Sequence, residues 1–138
     1  RFNMRQPFDV MSGAEGWQLS NPPILSMAAI RASLDMFAKV GMKALREKSE
    51  KLTGFFEYLI NQIDSDQIQI ITPSNPKERG CQLSIQVKNA DKSLHKKLTE
   101  NNIITDWREP DVIRCAPVPM YTSFEDVYRM MVVLKELL

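Results

Sequence analysis

The chain has 138 residues, of which 43% are hydrophobic and 25% are charged, and its 18 basic and 17 acidic residues leave a formal net charge of +1. This length and composition are typical of a compact folded domain and exclude a largely disordered chain. The near-zero net charge and the lack of a basic block argue against nucleic acid or a membrane surface as a partner. No apolar run approaches the roughly 20 residues that cross a bilayer.

Cysteine and histidine are scarce. Cys81 and Cys115 both lie in strand-like apolar runs without metal-ligand spacing, and His95 is the single histidine. We therefore expect two free thiols in a reducing, cytoplasmic environment rather than a disulfide. One histidine with no cysteine nearby predicts no zinc site.

The first half of the chain is helical by pattern. Ser20-Asn21-Pro22-Pro23 resembles a helix start, because asparagine suits the N-cap and Pro22 suits the first helical position. The helix that follows is apolar on nearly every side, which predicts burial between layers. Gly41 separates it from an amphipathic second helix with the 3.6-residue period. Gly41 is thus expected to break or kink the helical stretch, with a domain boundary between residues 1–40 and 41–138.

Beyond residue 64 the apolar pattern changes to that of strands. A short strand is predicted at 68–71, and 81–87 alternates strictly between apolar and polar residues, as a half-buried strand does. Residues 91–100 predict a short helix. The runs 103–107 and 112–116 are separated by only a few residues, which favours an antiparallel hairpin.

Two overlapping capping boxes, Thr122 with Glu125 and Ser123 with Asp126, predict the start of a last helix. The order of elements is then helix, helix, strand, strand, helix, strand, strand, helix. This order predicts an α+β domain in which helices cover one face of a mostly antiparallel sheet.

One charged residue lies inside a predicted strand. Arg114 would be costly to bury, because taking a charge out of water costs several kcal/mol unless a partner compensates. A carboxylate matches the guanidinium fork best. Two explanations remain open from the residues alone. Arg114 could bind a ligand, in which case its guanidinium should face an open concavity, or it could be a structural residue paired with one of three nearby acids, Asp106, Glu109 and Asp111.

No nucleophile with a base, no glycine-rich phosphate loop and no metal cluster is visible in the sequence. Three separated motifs nevertheless resemble kynureninase, a family of class V, fold-type-I pyridoxal-phosphate enzymes, and the opening Arg1-Phe2 resembles the segment just after the family's Trp-x-Gly-His stretch. The motifs are Gly16-Trp-Gln-Leu-Ser-Asn-Pro-Pro-Ile24, Glu78-Arg-Gly-Cys-Gln-Leu83 and Ile113-Arg-Cys-Ala-Pro-Val-Pro-Met-Tyr121.

The resemblance covers the whole chain and implies its architecture. It implies the last third of a kynureninase: residues 1–40 would end the large cofactor domain and start the connecting helix. Residues 41–138 would be the small C-terminal domain of the aspartate-aminotransferase-type fold, preceded by a long kinked connecting helix. The Schiff-base lysine would lie upstream of Arg1, so the chain alone is expected to be inactive.

The resemblance also implies a function. The full-length enzyme would hydrolyse L-kynurenine, or 3-hydroxykynurenine, to anthranilate, or 3-hydroxyanthranilate, and L-alanine. Pyridoxal 5'-phosphate would be the cofactor and the enzyme a cytoplasmic homodimer, active in tryptophan catabolism and NAD biosynthesis. Two alternatives are another class V pyridoxal-phosphate enzyme and a stand-alone, non-catalytic binding module.

Three residues match positions that the family uses for binding. Arg114 matches the arginine that binds the α-carboxylate of the amino-acid substrate. Asn21, with Ser20 beside it, matches an asparagine at the cofactor and substrate end of the site, although Asn21 could also be a plain N-cap. The resemblance assigns no catalytic residue to this chain.

Overall fold

The computed structural model of the chain describes residues 7, 9–63 and 65–138. Arg1-Phe2, which contributes to the family resemblance, therefore lies outside the described residues. The chain divides into two compact units, Arg1–Lys39 and Val40–Leu138. No helix in the described ranges is long and apolar enough to cross a membrane.

The first unit contains a 3-10 turn, Ala14–Trp17, and most of the first helix, α1, Ile24–Val40. The helix begins later than predicted. The amide of Met27 donates to the carbonyl of Pro23 at 2.9 Å, which makes Ile24 the first helical residue. Pro23 thus takes the cap position, and the prediction of Asn21 as N-cap is wrong. The reason is steric: a residue that precedes a proline is disfavoured in the helical region, and this excludes Pro22 from the first turn.

The predicted burial of α1 is not found among the described residues, where none of its side chains is buried. Leu25 is 88% exposed and Ile30 is 54% exposed. An apolar helix needs a cover, but its composition does not say which part of a protein supplies that cover.

The predicted break at Gly41 is confirmed. Gly41 has φ +82°, in the left-handed region that favours glycine, and it separates α1 from α2, Met42–Asn61. The second helix is amphipathic as predicted. Its buried residues recur at the helical period and are Leu45, Ser49, Leu52, Thr53, Phe56 and Ile60.

A four-stranded sheet forms the centre of the second unit. Its strands are β1 Ile68–Ile70, β2 Leu83–Val87, β3 Asp106–Arg108 and β4 Val112–Cys115, and they are fully antiparallel in the order β1-β2-β4-β3. The described part of the unit also contains the helices α3 Lys92–Glu100 and α4 Phe124–Leu137. The expected α+β architecture is confirmed.

The third strand begins later than the apolar run predicted. Asn102 takes a left-handed conformation with φ 60° after α3, and its amide donates to Thr99 O at 2.9 Å. The amide of Ile103 donates to Leu98 O at 2.9 Å. This is the Schellman pattern that closes a helix. Ile103 therefore ends α3 instead of starting β3.

The core lies between one face of the sheet and the helices. Alternation along β2 buries Leu83, Ile85 and Val87, as the sequence predicted. Burying one such side chain contributes about 1.5–3 kcal/mol. The other core residues come from the helices and β4 and include Leu52, Phe56, Leu94, Leu98, Ile113, Val127 and Leu134.

Only one of the two expected capping boxes forms at the start of α4. Ser123 Oγ accepts from the amide of Asp126 at 3.1 Å, and Asp126 Oδ2 accepts from the amide of Ser123 at 2.8 Å. The box of Thr122 with Glu125 is wrong, because a helix has a single N-cap position and Ser123 takes it.

Candidate functional site

Arg114 lies on the face of the sheet opposite the core. Its neighbours in β4, Ile113 and Cys115, are buried against the helices, so the two-residue period turns Arg114 the other way. Ser84 is directly opposite it on β2 and Asp106 directly opposite it on β3. The Arg114 side chain is 33% exposed.

Asp106 binds one edge of the Arg114 guanidinium. Nε of Arg114 donates to Asp106 Oδ2 at 2.8 Å, and Nη2 donates to the same oxygen. Nε of Arg108 also donates to this oxygen at 3.1 Å, and Nη2 of Arg108 lies 3.0 Å from it as an ion-pair contact. Nη1 of Arg114 has no acceptor among the described residues. The side edge of the guanidinium is occupied, and the end edge formed by Nη1 and Nη2 is open.

The charges of this cluster favour an anion. The hydrogen bond from Arg114 lowers the pKa of Asp106; slight burial opposes the shift, and the hydrogen bond and charge of Arg108 add to it. Two guanidinium groups around one carboxylate leave a net charge of +1. The cluster therefore remains attractive to a further carboxylate.

The internal pairing expected for a structural Arg114 is thus present, with Asp106 as the partner. Three depressions on the described surface have volumes of about 210, 300 and 330 Å³, and Arg114 lines none of them. None of these three depressions is therefore the open concavity expected beside a ligand-binding Arg114. Arg114 instead lies on the sheet face away from the core, with its side chain one-third exposed.

Ser20 and Asn21 belong to the first unit, whereas Arg114 belongs to the second. Both residues are exposed and precede α1. The carbonyl of Ser20 accepts from Gln18 Nε2 at 2.7 Å. The side-chain amide of Asn21 makes no hydrogen bond within the described part of the chain, so its donor and acceptor are both available.

The motif Glu78–Leu83 holds a loop together rather than a ligand. The side chain of Arg79 is only 2% exposed, and its Nη1 donates to Glu57 Oε2 at 2.6 Å and to Pro73 O at 3.3 Å. Arg46 in turn donates to Arg79 O at 3.1 Å. This buried arginine was not predicted from the sequence, where the signal for it was its position just before Gly80 and a strand.

Arg108 was also missed as part of the cluster around Asp106. The signal for it was the two-residue spacing of Asp106 and Arg108, which places both on one face of a strand. No group of three or more His, Cys, Asp or Glu residues that could hold a metal occurs within residues 9–63 and 65–138. Cys81 and Cys115 are both free thiols, as expected.

Comparison with known proteins identifies the family. The family model of the kynureninase C-terminal domain matches residues 45–134, a range that includes Asp106, Arg108 and Arg114. The chain belongs to the kynureninase family. This confirms the resemblance carried by the three sequence motifs.

Individual kynureninases match along nearly the whole chain. The kynureninase of Myxococcus xanthus is 51% identical over 129 residues, which are 94% of this chain and 30% of the relative. That of Flavobacterium johnsoniae is 49% identical over 139 residues, 99% of this chain and 33% of the relative. The chain therefore spans about a third of the length of these relatives.

A solved structure shares the fold. The C-DES mutant with glycine covalently linked to the PLP cofactor has a TM-score of 0.70 at 17% identity, covering 92% of this chain and 36% of that one. At this identity the likeness concerns the fold alone. It agrees with the expected small-domain architecture, while the roughly 50% identity to kynureninases favours that family over the two alternatives.

Proposed function

We propose that the chain is the C-terminal part of a kynureninase, a pyridoxal-phosphate-dependent hydrolase. The full-length enzyme would cleave the Cβ–Cγ bond of L-kynurenine or 3-hydroxykynurenine, giving anthranilate or 3-hydroxyanthranilate and L-alanine. One observation carries the contribution of this chain: Arg114 presents the open end edge of its guanidinium within a cluster of net positive charge. Roughly 50% identity to kynureninases supports the reaction.

Arg114 would bind the α-carboxylate of the substrate. A planar guanidinium can offer two parallel N–H donors to a carboxylate, and Nη1 and Nη2 provide that pair. A charge-assisted hydrogen bond of this kind contributes about 1.5–3 kcal/mol. Because Asp106 uses the side edge, a structural ion pair and a substrate contact can exist on Arg114 at the same time.

Fixing the carboxylate determines where the rest of the substrate lies. A substrate held by two donors at one end has little rotational freedom, so its reacting carbon is kept in place for the chemical step. Arg114 therefore acts by orientation. We assign no general acid or base to this chain.

Asn21 and Ser20 would contact the cofactor and the substrate from the first unit. The free amide of Asn21 offers a donor and an acceptor, and the first amides of α1 lie just beyond it, where a helix attracts anionic groups. These groups suit a phosphorylated, polar cofactor. Pyridoxal phosphate supplies an electron sink when bound, and its lysine attachment site would lie outside this chain.

The domain assignment follows from the same proposal. Residues 1–40 would end the large cofactor domain and begin the connecting helix, and residues 41–138 would form the small domain. The exposed apolar surface of α1 would then be covered by the rest of the large domain or by the second subunit of a homodimer. By analogy with the family, we also propose a cytoplasmic location and a role in tryptophan catabolism and NAD biosynthesis.

The test is turnover by the full-length gene product loaded with pyridoxal phosphate. We expect anthranilate and L-alanine in equal amounts from L-kynurenine, or 3-hydroxyanthranilate and L-alanine from the hydroxylated substrate. The 138-residue chain alone, assayed in parallel, should release neither product. A full-length protein that binds the cofactor and cleaves neither substrate would overturn the proposal.

A further inference from the structure

The orientation of Arg114 depends on a residue that the proposed function leaves unassigned. Asp106 Oδ2 receives donors from both Arg114 and Arg108, so the carboxylate is held from two sides. It binds only the Nε and Nη2 edge of Arg114. The partner of Arg114 thus determines which edge of the guanidinium remains open.

We propose that Asp106 is a positioning residue for the substrate carboxylate. It holds the side edge of Arg114 so that the end edge, Nη1 and Nη2, is presented to the substrate, and Arg108 anchors Asp106 in turn. This inference rests on the proposed role of Arg114 as the carboxylate clamp. Asp106 itself makes no contact with the substrate in this account.

A long, partly exposed side chain needs such a holder. The Arg114 side chain is 33% exposed, and the strand fixes only its Cα–Cβ direction. Ordering a flexible arginine when the substrate binds would cost conformational entropy, and an arginine that is already ordered avoids that cost. The Asp106 side chain is 47% exposed, so its two arginine contacts, rather than packing, keep it in place.

A competing role for Asp106 predicts a change in KM of the opposite sign. If Asp106 occupied the place of the substrate carboxylate and had to be displaced, its removal would tighten substrate binding. If Asp106 positions Arg114, its removal weakens binding. The direction of the change in KM therefore distinguishes the two roles.

The experiment uses the full-length holoenzyme and the substitution Asp106→Asn, which keeps the shape and removes the charge. We expect the KM for L-kynurenine to rise about tenfold because the clamp is misoriented, with a smaller fall in kcat because the bound substrate is held less well for the chemical step. Asp111→Asn is the matched control. It removes an equal charge from a carboxylate that contacts Gln86 at 3.1 Å instead of Arg114, and KM should stay unchanged.

Two further readouts separate positioning from a general structural effect. In an Arg114→Ala background, Asp106→Asn should add no further rise in KM, because Asp106 acts through Arg114. The methyl ester of kynurenine lacks the carboxylate, so its inhibition constant should be the same for Asp106→Asn and the unmodified enzyme. A loss of both substrate and ester binding would overturn the proposal.

An unchanged or lowered KM in Asp106→Asn would also overturn the inference about Asp106. If Arg114→Ala raises KM in the same experiments, the proposed role of Arg114 stands and only the inference about Asp106 fails. An unchanged KM with Arg114→Ala would instead contradict the proposed role of Arg114 as the carboxylate clamp. If Asp106→Asn proves unstable in thermal unfolding, Arg108→Gln carries the test, because it loosens Asp106 without touching Arg114. A rise in KM of about two- to fivefold is then expected, and no rise overturns the inference.

Discussion

Arg79 and Glu57 form the most enclosed ion pair in the described part of the chain. Arg79 Nη1 donates to Glu57 Oε2 at 2.6 Å, with side-chain exposures of 2% and 18%. Burial opposes the ionisation of Glu57, but hydrogen bonds from Ser74 and Arg79 and the charge of Arg79 together lower its pKa. The pair ties the loop before β2 to helix α2.

Removing the charge of Glu57 should destabilise the second unit. Glu57→Gln leaves the Arg79 guanidinium buried without a carboxylate, and the free energy of unfolding should fall by about 1–3 kcal/mol at neutral pH. Because the folded pKa is lowered, the contribution of Glu57 is complete above its ordinary pKa of about 4.3. It is lost as the pH falls through the lowered value, so the difference between variant and original should shrink in acid.

Urea unfolding of the 138-residue chain at several pH values measures this effect. Glu47→Gln is the control, since Glu47 is exposed on the same helix, and it should change stability by no more than about 0.5 kcal/mol. A difference for Glu57→Gln that stays constant into acid would contradict the assigned role of the carboxylate.

The two thiols should react at very different rates. Burial raises the pKa of Cys115 to about 12, whereas Cys81 is partly exposed. A thiol reagent added to the folded 138-residue chain near pH 8 should modify Cys81 first and Cys115 only on unfolding, because the thiolate is the reactive form. Cys81→Ser should abolish the fast phase. Equal rates for both thiols would contradict the burial of Cys115.

The capping box of α4 makes a further prediction. Ser123→Ala removes the side-chain acceptor for the amide of Asp126 and should lower the free energy of unfolding by about 1 kcal/mol. Thr122→Ala is the matched control, because Thr122 is not the N-cap, and its effect should stay within about 0.5 kcal/mol. Chemical unfolding measures the loss of stability in both variants, and equal losses would contradict the assignment of Ser123 as the N-cap.

Periodicity predicted most of the fold because local pattern determines it. The alternation of Leu83, Ile85 and Val87 indicated a half-buried strand, and the helical period of α2 indicated its buried face; both are confirmed. Gly41 was identifiable because a break between two helical patterns often needs a residue tolerant of positive φ. These features depend on a few consecutive residues.

Features that depend on distant or competing contacts were harder to predict. The apolar run starting at Ile103 resembled a strand, but the Schellman motif at Asn102 uses Ile103 to end a helix. The pattern at Asn21 suited an N-cap, but the second of two prolines moved the helix start to Ile24. The composition of α1 predicted burial without identifying what covers the helix.

The candidate site was predicted in part. The sequence identified Arg114 and named Asp106 among its possible partners, and the structure selects Asp106. The sequence posed a structural pair and a ligand contact as alternatives, because it carries no information about which edge of a guanidinium is used. Arg108 escaped notice because the predicted strand ended at residue 107, whereas β3 extends to Arg108 and so places it on one face with Asp106.

The role of Arg114 as the carboxylate clamp is tested by the KM for L-kynurenine of the full-length holoenzyme carrying Arg114→Ala. Loss of the carboxylate contact, worth about 1.5–3 kcal/mol, predicts a rise in KM of about 10- to 150-fold. The absorbance of the bound cofactor should be unchanged, since Arg114 is assigned to the substrate alone. A KM equal to that of the unmodified enzyme would contradict the account and leave Arg114 as a structural partner of Asp106.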